Sequence, residues 1–488
     1  MDDRLYGSFV EHLGRAIYGG IYEPGHPRAD GRGFRRDVLE LARELGLPVI
    51  RYPGGNFVCG FDWEDSVGPA ESRPVRLDPA WLSVETNRFG LDEFARWCSE
   101  LGAEPMLALN LGTRGVDAAR SLLEYCNFPG GTRWSDLRRA HGRAEPYGIK
   151  LWCLGNELDG PWNIGQKDAS EYGRLARETA KAMRLVDPKL ELVACGSSNA
   201  DMPSFPDWEA SVLGQCYEEV DYLSLHSYYG KGPAGLADYL ACSAGMDRFI
   251  KSVAAACDFV KARKRSRKTM LLSFDEWNVW YRAVAERRHD DPWKVGPSLL
   301  EEPYTFEDAL VVGCLLMTLL KNADRVRIAC LAQLVNALAP IMTRTGGGAW
   351  RQTIYYPFLY ASRYGRGESL RVELGCPRYE SPSYGEVPYL EAAAVSSGEG
   401  LAIFAVNRSA SEPVELEARL GGFEGLVPLE RIEYAGYEPG AANSEESPDA
   451  VVPRRVAGGF EAEGGRLSAR LAPLSWNLLR LGRPGAGR

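Results

Sequence analysis

The chain has 488 residues, 45% of them hydrophobic and 25% charged, and a formal net charge of −9. That length is too great for one small core and divides naturally into one large domain and one smaller domain. The acidic balance argues against a nucleic-acid or anionic-membrane partner, since neither is attracted to a negative surface, and a neutral substrate fits better. The N-terminus, Met1-Asp2-Asp3-Arg4-Leu5-Tyr6, has no basic region followed by an apolar stretch, so a cytoplasmic location is expected. Eleven cysteines, an odd count without regular spacing, form neither a disulfide framework nor a paired-cysteine zinc motif. Cys153 and Cys330 lie inside apolar runs and read as small core residues.

Eight short apolar runs follow one another at residues 6–11, 49–52, 106–110, 151–157, 190–196, 220–226, 270–276 and 327–334. Stretches with helical periodicity separate them. Between the first two runs, Val38, Leu41, Ala42 and Leu45 recur at three- and four-residue steps, with Gly46 to stop the helix. Residues 309–320 are the longest apolar segment, too short for the ~20 residues of a membrane span, and read as a buried helix. Strand and helix alternating about eight times predict an α/β fold, a (β/α)8 TIM barrel. Beyond Tyr360 the texture changes. Residues 361–388 are rich in Gly, Pro, Ser and Arg, and alternating runs such as 401–406 follow, preceded by a turn at Ser397-Gly398-Glu399-Gly400. Residues 1–360 are therefore assigned to the barrel and 361–488 to a C-terminal β-sandwich, with a frayed Pro484-Gly485-Ala486-Gly487 tail.

Polar residues gather where the runs end: Glu11 and His12, Arg51 and Asn56, Asn110, Asn156 and Glu157, Ser197 to Asn199, His226 and Tyr228, Glu276, and Gln333 with Asn336. In a parallel barrel those ends share the face on which active sites are built. Two of them, Glu157 and Glu276, are carboxylic acids closing apolar runs in a chain with only five histidines. That points to paired-carboxylate chemistry, above all glycosidic bond cleavage. Trp152 and Leu154 keep the surroundings of Glu157 dry, as a general acid needs, and Asn156 beside it can hold a sugar hydroxyl if a local bulge turns both inward. Of the Asp275–Glu276 pair, Glu276 is taken to face the pocket, and Asp275 with Asn278 reads as turn chemistry. Tyr228 shares a strand face with His226 and can donate to a carboxylate nucleophile. Arg51, in a buried strand, must pair with an acid. Glu11, Asn56 and Asn110 complete the ring, and Gly54-Gly55 lets the backbone approach a ligand. Trp63, Trp81, Trp277 and Trp280 are candidates for stacking on sugar rings. His289-Asp290-Asp291 looks ligand-like but lies in a charged stretch and reads as solvated. No G-x-S-x-G elbow, H-E-x-x-H, P-loop or G-x-G-x-x-G is present.

Four blocks carry a family resemblance: Gly7-Ser8-Phe9-Val10-Glu11-His12-Leu13-Gly14-Arg15, Arg51-Tyr52-Pro53-Gly54-Gly55-Asn56, Trp152-Cys153-Leu154-Gly155-Asn156-Glu157 and Phe274-Asp275-Glu276-Trp277-Asn278-Val279-Trp280. They resemble glycoside hydrolase family 51, in particular its intracellular bacterial α-L-arabinofuranosidases, and the likeness runs over essentially the whole chain. The resemblance implies a retaining clan-A (β/α)8 barrel with a C-terminal jelly-roll domain. It implies Glu157 as acid/base and Glu276 as nucleophile. By the same likeness Glu11, Asn56, Asn156, Tyr228 and Gln333 hold an arabinofuranosyl ring, Arg51 and His226 support them, and Trp81 and Trp280 line the sugar site. No metal or organic cofactor is implied. Arabinose-containing oligosaccharides are the implied substrates, and a homo-oligomer, often a hexamer, the implied assembly. Family members usually carry an extra sandwich strand before the Tyr6-Gly7-Ser8 block, whereas this chain begins only a few residues upstream of it. A β-xylosidase-like glycosidase on the same barrel and a non-catalytic sugar-binding protein are the alternative readings.

Overall fold

The computed structural model describes residues 1–281, 292–398 and 400–484. His289-Asp290-Asp291 and most of the C-terminal tail lie outside the described residues. Eight parallel strands close a barrel: β1 (Gly7–Phe9), β2 (Val49–Tyr52), β3 (Glu104–Ala108), β4 (Leu151–Leu154), β5 (Glu191–Ala194), β6 (Tyr222–Tyr229), β7 (Leu271–Val279) and β8 (Val326–Ala332). Each strand pairs with its neighbours in sequence, and β8 closes on β1 with Gly7 opposite Cys330. Both faces of these strands are covered, so they are almost wholly buried and read as unbroken apolar runs. β6 and β7 extend beyond the predicted runs, which carries His226, Tyr228 and Glu276 within ladders that fix their direction.

The first helix, Arg36–Leu45, buries Val38, Leu39, Ala42 and Leu45, and Gly46 ends it in the left-handed region at φ 63°. Leu39 therefore faces the core in the place the periodicity assigned to Leu41, which is half-buried. The apolar segment 309–320 belongs to the helix Phe306–Lys321, which Thr305 and Asp308 start with a reciprocal capping box. It is apolar all round because it is covered all round. One side meets the barrel, and Gly313 lies directly against the Trp476 ring of the C-terminal sheet.

After the last barrel helix, Tyr355–Tyr364, the described residues build two sandwiched antiparallel sheets and a separate two-stranded hairpin, Arg378–Ser381 with Gly385–Pro388. The larger has six strands in the order Glu368–Leu370, Leu390–Ser397, Gly400–Asn407, Ser475–Gly482, Val427–Tyr434, Arg454–Val456. Alternation divides its two faces. Ala392, Ala394, Ile403 and Leu479 point into the sandwich against Leu416, Leu467 and Leu471 of the smaller sheet, while Ala393, Val395, Phe404 and Trp476 join the barrel core. The ten buried cysteines and the half-buried Cys376 are all unpaired. No helix among the described residues is long and apolar enough to cross a membrane.

Candidate active site

β2 carries Arg51 into the barrel axis, where it is 1% exposed. Nη1 donates to Glu276 Oε1 at 2.6 Å and Nη2 to Asn156 Oδ1 at 2.7 Å, while Nε lies 3.7 Å from Asp275 Oδ2. Tyr228 donates its hydroxyl to the other oxygen of Glu276 at 2.8 Å. Asp275 is not a turn residue. It is fully buried within β7 and accepts from Ser224 Oγ at 2.5 Å and His226 Nε2 at 3.2 Å. Asn278 also lies inside the strand, donating to the carbonyls of Ala332 and Leu338. A register shift in β7 between Ser273 and Glu276 explains the division of labour, because it lets both neighbours reach Arg51 and His226, with Glu276 at the cavity and Asp275 among its supports. The turn-forming habit of Asp and Asn had suggested otherwise and is overridden by ladder pairing on both sides.

Glu157 reaches the site by a turn, not by a bulge in the ladder. β4 ends at Leu154, then Gly155 (φ 105°) and Glu157 (φ 43°) take left-handed conformations. A side-chain-bearing residue in that region is uncommon, and such backbone concentrates at functional sites. Oε1 of Glu157 accepts from His226 Nδ1 at 2.9 Å and Oε2 from Trp162 Nε1 at 2.8 Å. The sequence reading missed Trp162. Its one visible signal is an aromatic residue in Gly160-Pro161-Trp162, immediately after the acid-bearing strand end.

The far end of the cavity is built on Glu11. Its Oε1 accepts from Phe57 N at 3.0 Å and Trp81 Nε1 at 2.9 Å, and its Oε2 from Gln333 Nε2 at 2.9 Å. Gln333 returns the contact by accepting from Glu11 N at 2.8 Å. Gly55 permits this, because a Cβ there would lie 2.7 Å from Glu11 Oε2. Asn56, Trp81, Tyr228, Trp280, Leu299 and Leu300 wall the same space, within a cavity of about 1010 Å³ that also reaches Glu157 and Glu276. Trp280 packs edge-on to Tyr228, and its Nε1 is buried without a hydrogen-bond partner among the described residues. Asn156 stands one layer behind. Its Oδ1 is taken by Arg51, which fixes the amide's orientation, and its Nδ2 faces Asn56 Oδ1 at 3.4 Å, a contact that uses one of its two N–H donors.

Other predicted members lie elsewhere. Asn110 closes its own loop, donating to the Phe61 carbonyl and Thr113 while accepting from Gly112 and Thr113. Asn336 binds Thr343 and the Arg15 carbonyl. His12 is buried between Glu85 and Tyr52. Trp277 is fully buried, and Trp63 packs on Tyr125 and Trp134. Periodicity marks an aromatic near a strand end but does not say which side of the strand it takes.

Electrostatics separates the two central acids. Burial raises the pKa of Glu157, and the nearby charge of Glu276 adds to it against the hydrogen bond from His226. Glu276 instead has the fixed charge of Arg51 at hydrogen-bond distance. Burial opposes charge on His226, but Glu276, Asp275 and Glu157 outweigh it and bring the pKa to about 10, so both ring nitrogens donate. Burial also raises Asp275, yet Arg51, His226 and Ser224 hold it below the ordinary carboxylate range. At Glu11, burial and then the charge of Glu276 push the pKa up to about 8. Among the described residues, Glu157, His226 and Glu276 are the one group whose donor atoms, all within 4.8 Å of one another, could bracket a metal ion. A protonated His226 and the Arg51 guanidinium beside them supply positive charge already, so the donor set suits proton transfer better than metal binding.

Two family models match the chain, the α-L-arabinofuranosidase 1 domain over residues 41–239 and the α-L-arabinofuranosidase C-terminal domain over residues 275–475. An intracellular exo-α-(1→5)-L-arabinofuranosidase of Halalkalibacterium halodurans is 56% identical over 485 residues, covering 99% of this chain and 96% of the relative. Its counterpart in Bacillus subtilis is also 56% identical, over 99% of this chain and 96% of its own length. Among solved structures, a family 51 α-L-arabinofuranosidase from Bifidobacterium longum aligns with a TM-score of 0.94 at 45% identity, covering 98% of this chain and 96% of that one. A barrel closed by eight strands, a sandwich fused to it, and matches across both domains lead to one assignment: the chain belongs to the α-L-arabinofuranosidases of glycoside hydrolase family 51.

Proposed function

We propose that the protein is an intracellular, retaining, exo-acting α-L-arabinofuranosidase that removes terminal arabinofuranosyl groups from arabinan- or arabinoxylan-derived oligosaccharides. The observation that carries the reading is the approach of Glu157 and Glu276, whose oxygens come within 4.8 Å. Retaining glycosidases hold their carboxyl groups about 5–5.5 Å apart, whereas inverting ones leave about 6.5–9.5 Å for a water. Glu276, held by hydrogen bonds from Arg51 and Tyr228, attacks the anomeric carbon. Glu157 gives its proton to the departing glycosidic oxygen as the C–O bond breaks, then takes a proton from the water that hydrolyses the glycosyl-enzyme. His226 bridges Glu157 and Asp275 and holds the acid in place.

The exo character is supported by Glu11, Gln333, Asn56 and Trp81, which line one end of the cavity and offer polar atoms to the hydroxyls of a terminal sugar. Because those groups come from different strand ends, their spacing is set by the barrel. A pyranoside that misplaces two hydroxyls leaves buried polar groups unpaired, a loss of about 30-fold to 10⁴-fold in kcat/KM. The names of the relatives support the intracellular location and the α-(1→5) linkage, while a Bifidobacterium longum relative at 48% identity is named an exo-α-(1→6)-L-arabinofuranosidase. Residues 1–360 are taken as the catalytic barrel, whose last helix runs on to Tyr364 across that boundary, and 361–488 as the sandwich, in a homo-oligomer, a hexamer by family resemblance, which light scattering measures directly. A panel of aryl α-L-arabinofuranoside, β-D-xylopyranoside and β-D-glucopyranoside tests the activity. Comparable kcat/KM on the xyloside contradicts the furanose assignment, and no turnover on any of the three contradicts the enzyme reading.

A further inference from the structure

The cavity continues past the two carboxylates, away from Glu11. Barrel order gives this extension a direction. Asn56, Glu11 and Gln333 follow the neighbouring strands β2, β1 and β8, whereas Glu157 follows β4, and Asn199 follows β5, directly opposite β1. A group that protonates the leaving oxygen has the leaving group on its own side. The extension on the Glu157 side therefore faces the departing part of the substrate. Its outer wall comes from two places far apart in sequence. Gly245, Arg248, Phe249 and Ser252 form one face of the helix Cys242–Lys264, and Tyr384 comes from the hairpin Arg378–Ser381/Gly385–Pro388, after the barrel helices have ended.

That hairpin is fastened to the barrel rim. Asp238 accepts from Ser381 Oγ at 2.5 Å and from Ser383 N and Oγ at 2.9 and 2.8 Å. Arg248 donates to the Tyr384 carbonyl at 2.9 Å, with its guanidinium 5.8 Å from the ring centroid. Gly245 makes room for the ring, since a Cβ there would lie 2.7 Å from Tyr384 Cε1. A second observation points to a ligand. Tyr229 lines the same arm at 7% exposure, yet among the described residues its hydroxyl makes no well-formed hydrogen bond, with Ser227 the polar group beside it. A buried hydroxyl without a partner is unusual enough to need an explanation, and a ligand hydroxyl provides one.

We propose that this arm is a binding subsite for the leaving oligosaccharide beyond the scissile bond. Tyr384 of the sandwich domain supplies an aromatic face for a neutral furanosyl unit, and the Tyr229 hydroxyl bonds one of its hydroxyl groups. The inference rests on the arabinofuranosidase reading and adds to it that the second domain takes part in choosing the substrate. The cavity volume, about 1010 Å³, is many times that of one pentosyl unit.

The experiment compares kcat/KM for α-1,5-linked arabinobiose, arabinotriose and arabinotetraose with that for an aryl α-L-arabinofuranoside, which has no sugar beyond the scissile bond. In the unmutated enzyme kcat/KM rises with chain length beyond the disaccharide. Tyr384→Ala lowers the ratio of trisaccharide to aryl-glycoside kcat/KM by about 3- to 10-fold, the scale of one lost aromatic stacking contact. Tyr229→Phe lowers the same ratio, and because it removes only a hydroxyl that has no well-formed bond among the described residues, this variant is expected to fold whether or not Tyr384→Ala does. An active unmutated enzyme with no dependence on chain length, or variants with an unchanged ratio, would overturn the subsite. No turnover of the aryl arabinofuranoside would overturn the underlying arabinofuranosidase reading instead.

Discussion

Arg51 touches Glu276, Asp275 and Asn156 together, so one guanidinium fixes the direction of the groups below the reacting bond. This makes the two glutamates unequal in a measurable way. Glu276→Ala is expected to abolish turnover of every substrate, because no glycosyl-enzyme can form. Glu157→Ala keeps more activity on aryl glycosides with good leaving groups than on oligosaccharides, whose departing oxygen needs a proton. The opposite pattern reverses the roles. Since burial raises Glu157, its acid form persists above the ordinary carboxyl range, and kcat/KM falls on the alkaline side as it ionises; Glu157→Gln should lack that limb. Asp275 is depressed in the folded state, so the stability it adds is present above its unfolded pKa of about 3.9 and is lost as pH falls through its folded value. Asp275→Asn leaves Arg51 and His226 short of a buried counter-charge. A loss of about 3–5 kcal/mol at neutral pH, shrinking below about pH 4, is expected from denaturant unfolding.

At the scale of strands and helices, much was legible because parallel strands buried on both faces leave continuous apolar runs, each with a polar residue at its end. Those runs put Glu157, Glu276, Glu11 and Gln333 on one rim. What strand-end counting lacked was the direction of each side chain. Asn110, His12 and Trp277 have the same sequence texture as the cavity residues, yet each turns to a loop, a buried acid or the core. The turn after β4 was legible only as a requirement, since alternation demanded some break between Asn156 and Glu157. Gly155 at φ 105° is where that break is made. Gly155→Ala forces a side chain into this conformation and is expected to cost about 1–3 kcal/mol. Thermal unfolding reads the loss, and a fall in kcat larger than in Gly102→Ala, a helix-capping glycine at φ 73° far from the cavity, shows that the turn aims Glu157.

Across the whole molecule the sandwich is part of the barrel's core. The helix Phe306–Lys321 is buried between them, and Arg408 of the sandwich reaches both Glu391 and Ser243 of a barrel helix at 2.6 Å. Unfolding should therefore be one cooperative transition. Gly313→Val pushes on the Trp476 ring and is expected to cost about 1–3 kcal/mol while leaving a single transition; two separated transitions in calorimetry contradict a shared core. The acidic surface suits the neutral oligosaccharide read from the site, because nothing in its recognition needs long-range attraction. The paired-carboxylate mechanism at the centre of this reading is tested most directly by the stereochemistry of the first product. Proton NMR during hydrolysis of an aryl α-L-arabinofuranoside should show α-L-arabinofuranose appearing first, before mutarotation. Initial formation of the β anomer would mean inversion and would contradict a nucleophilic Glu276.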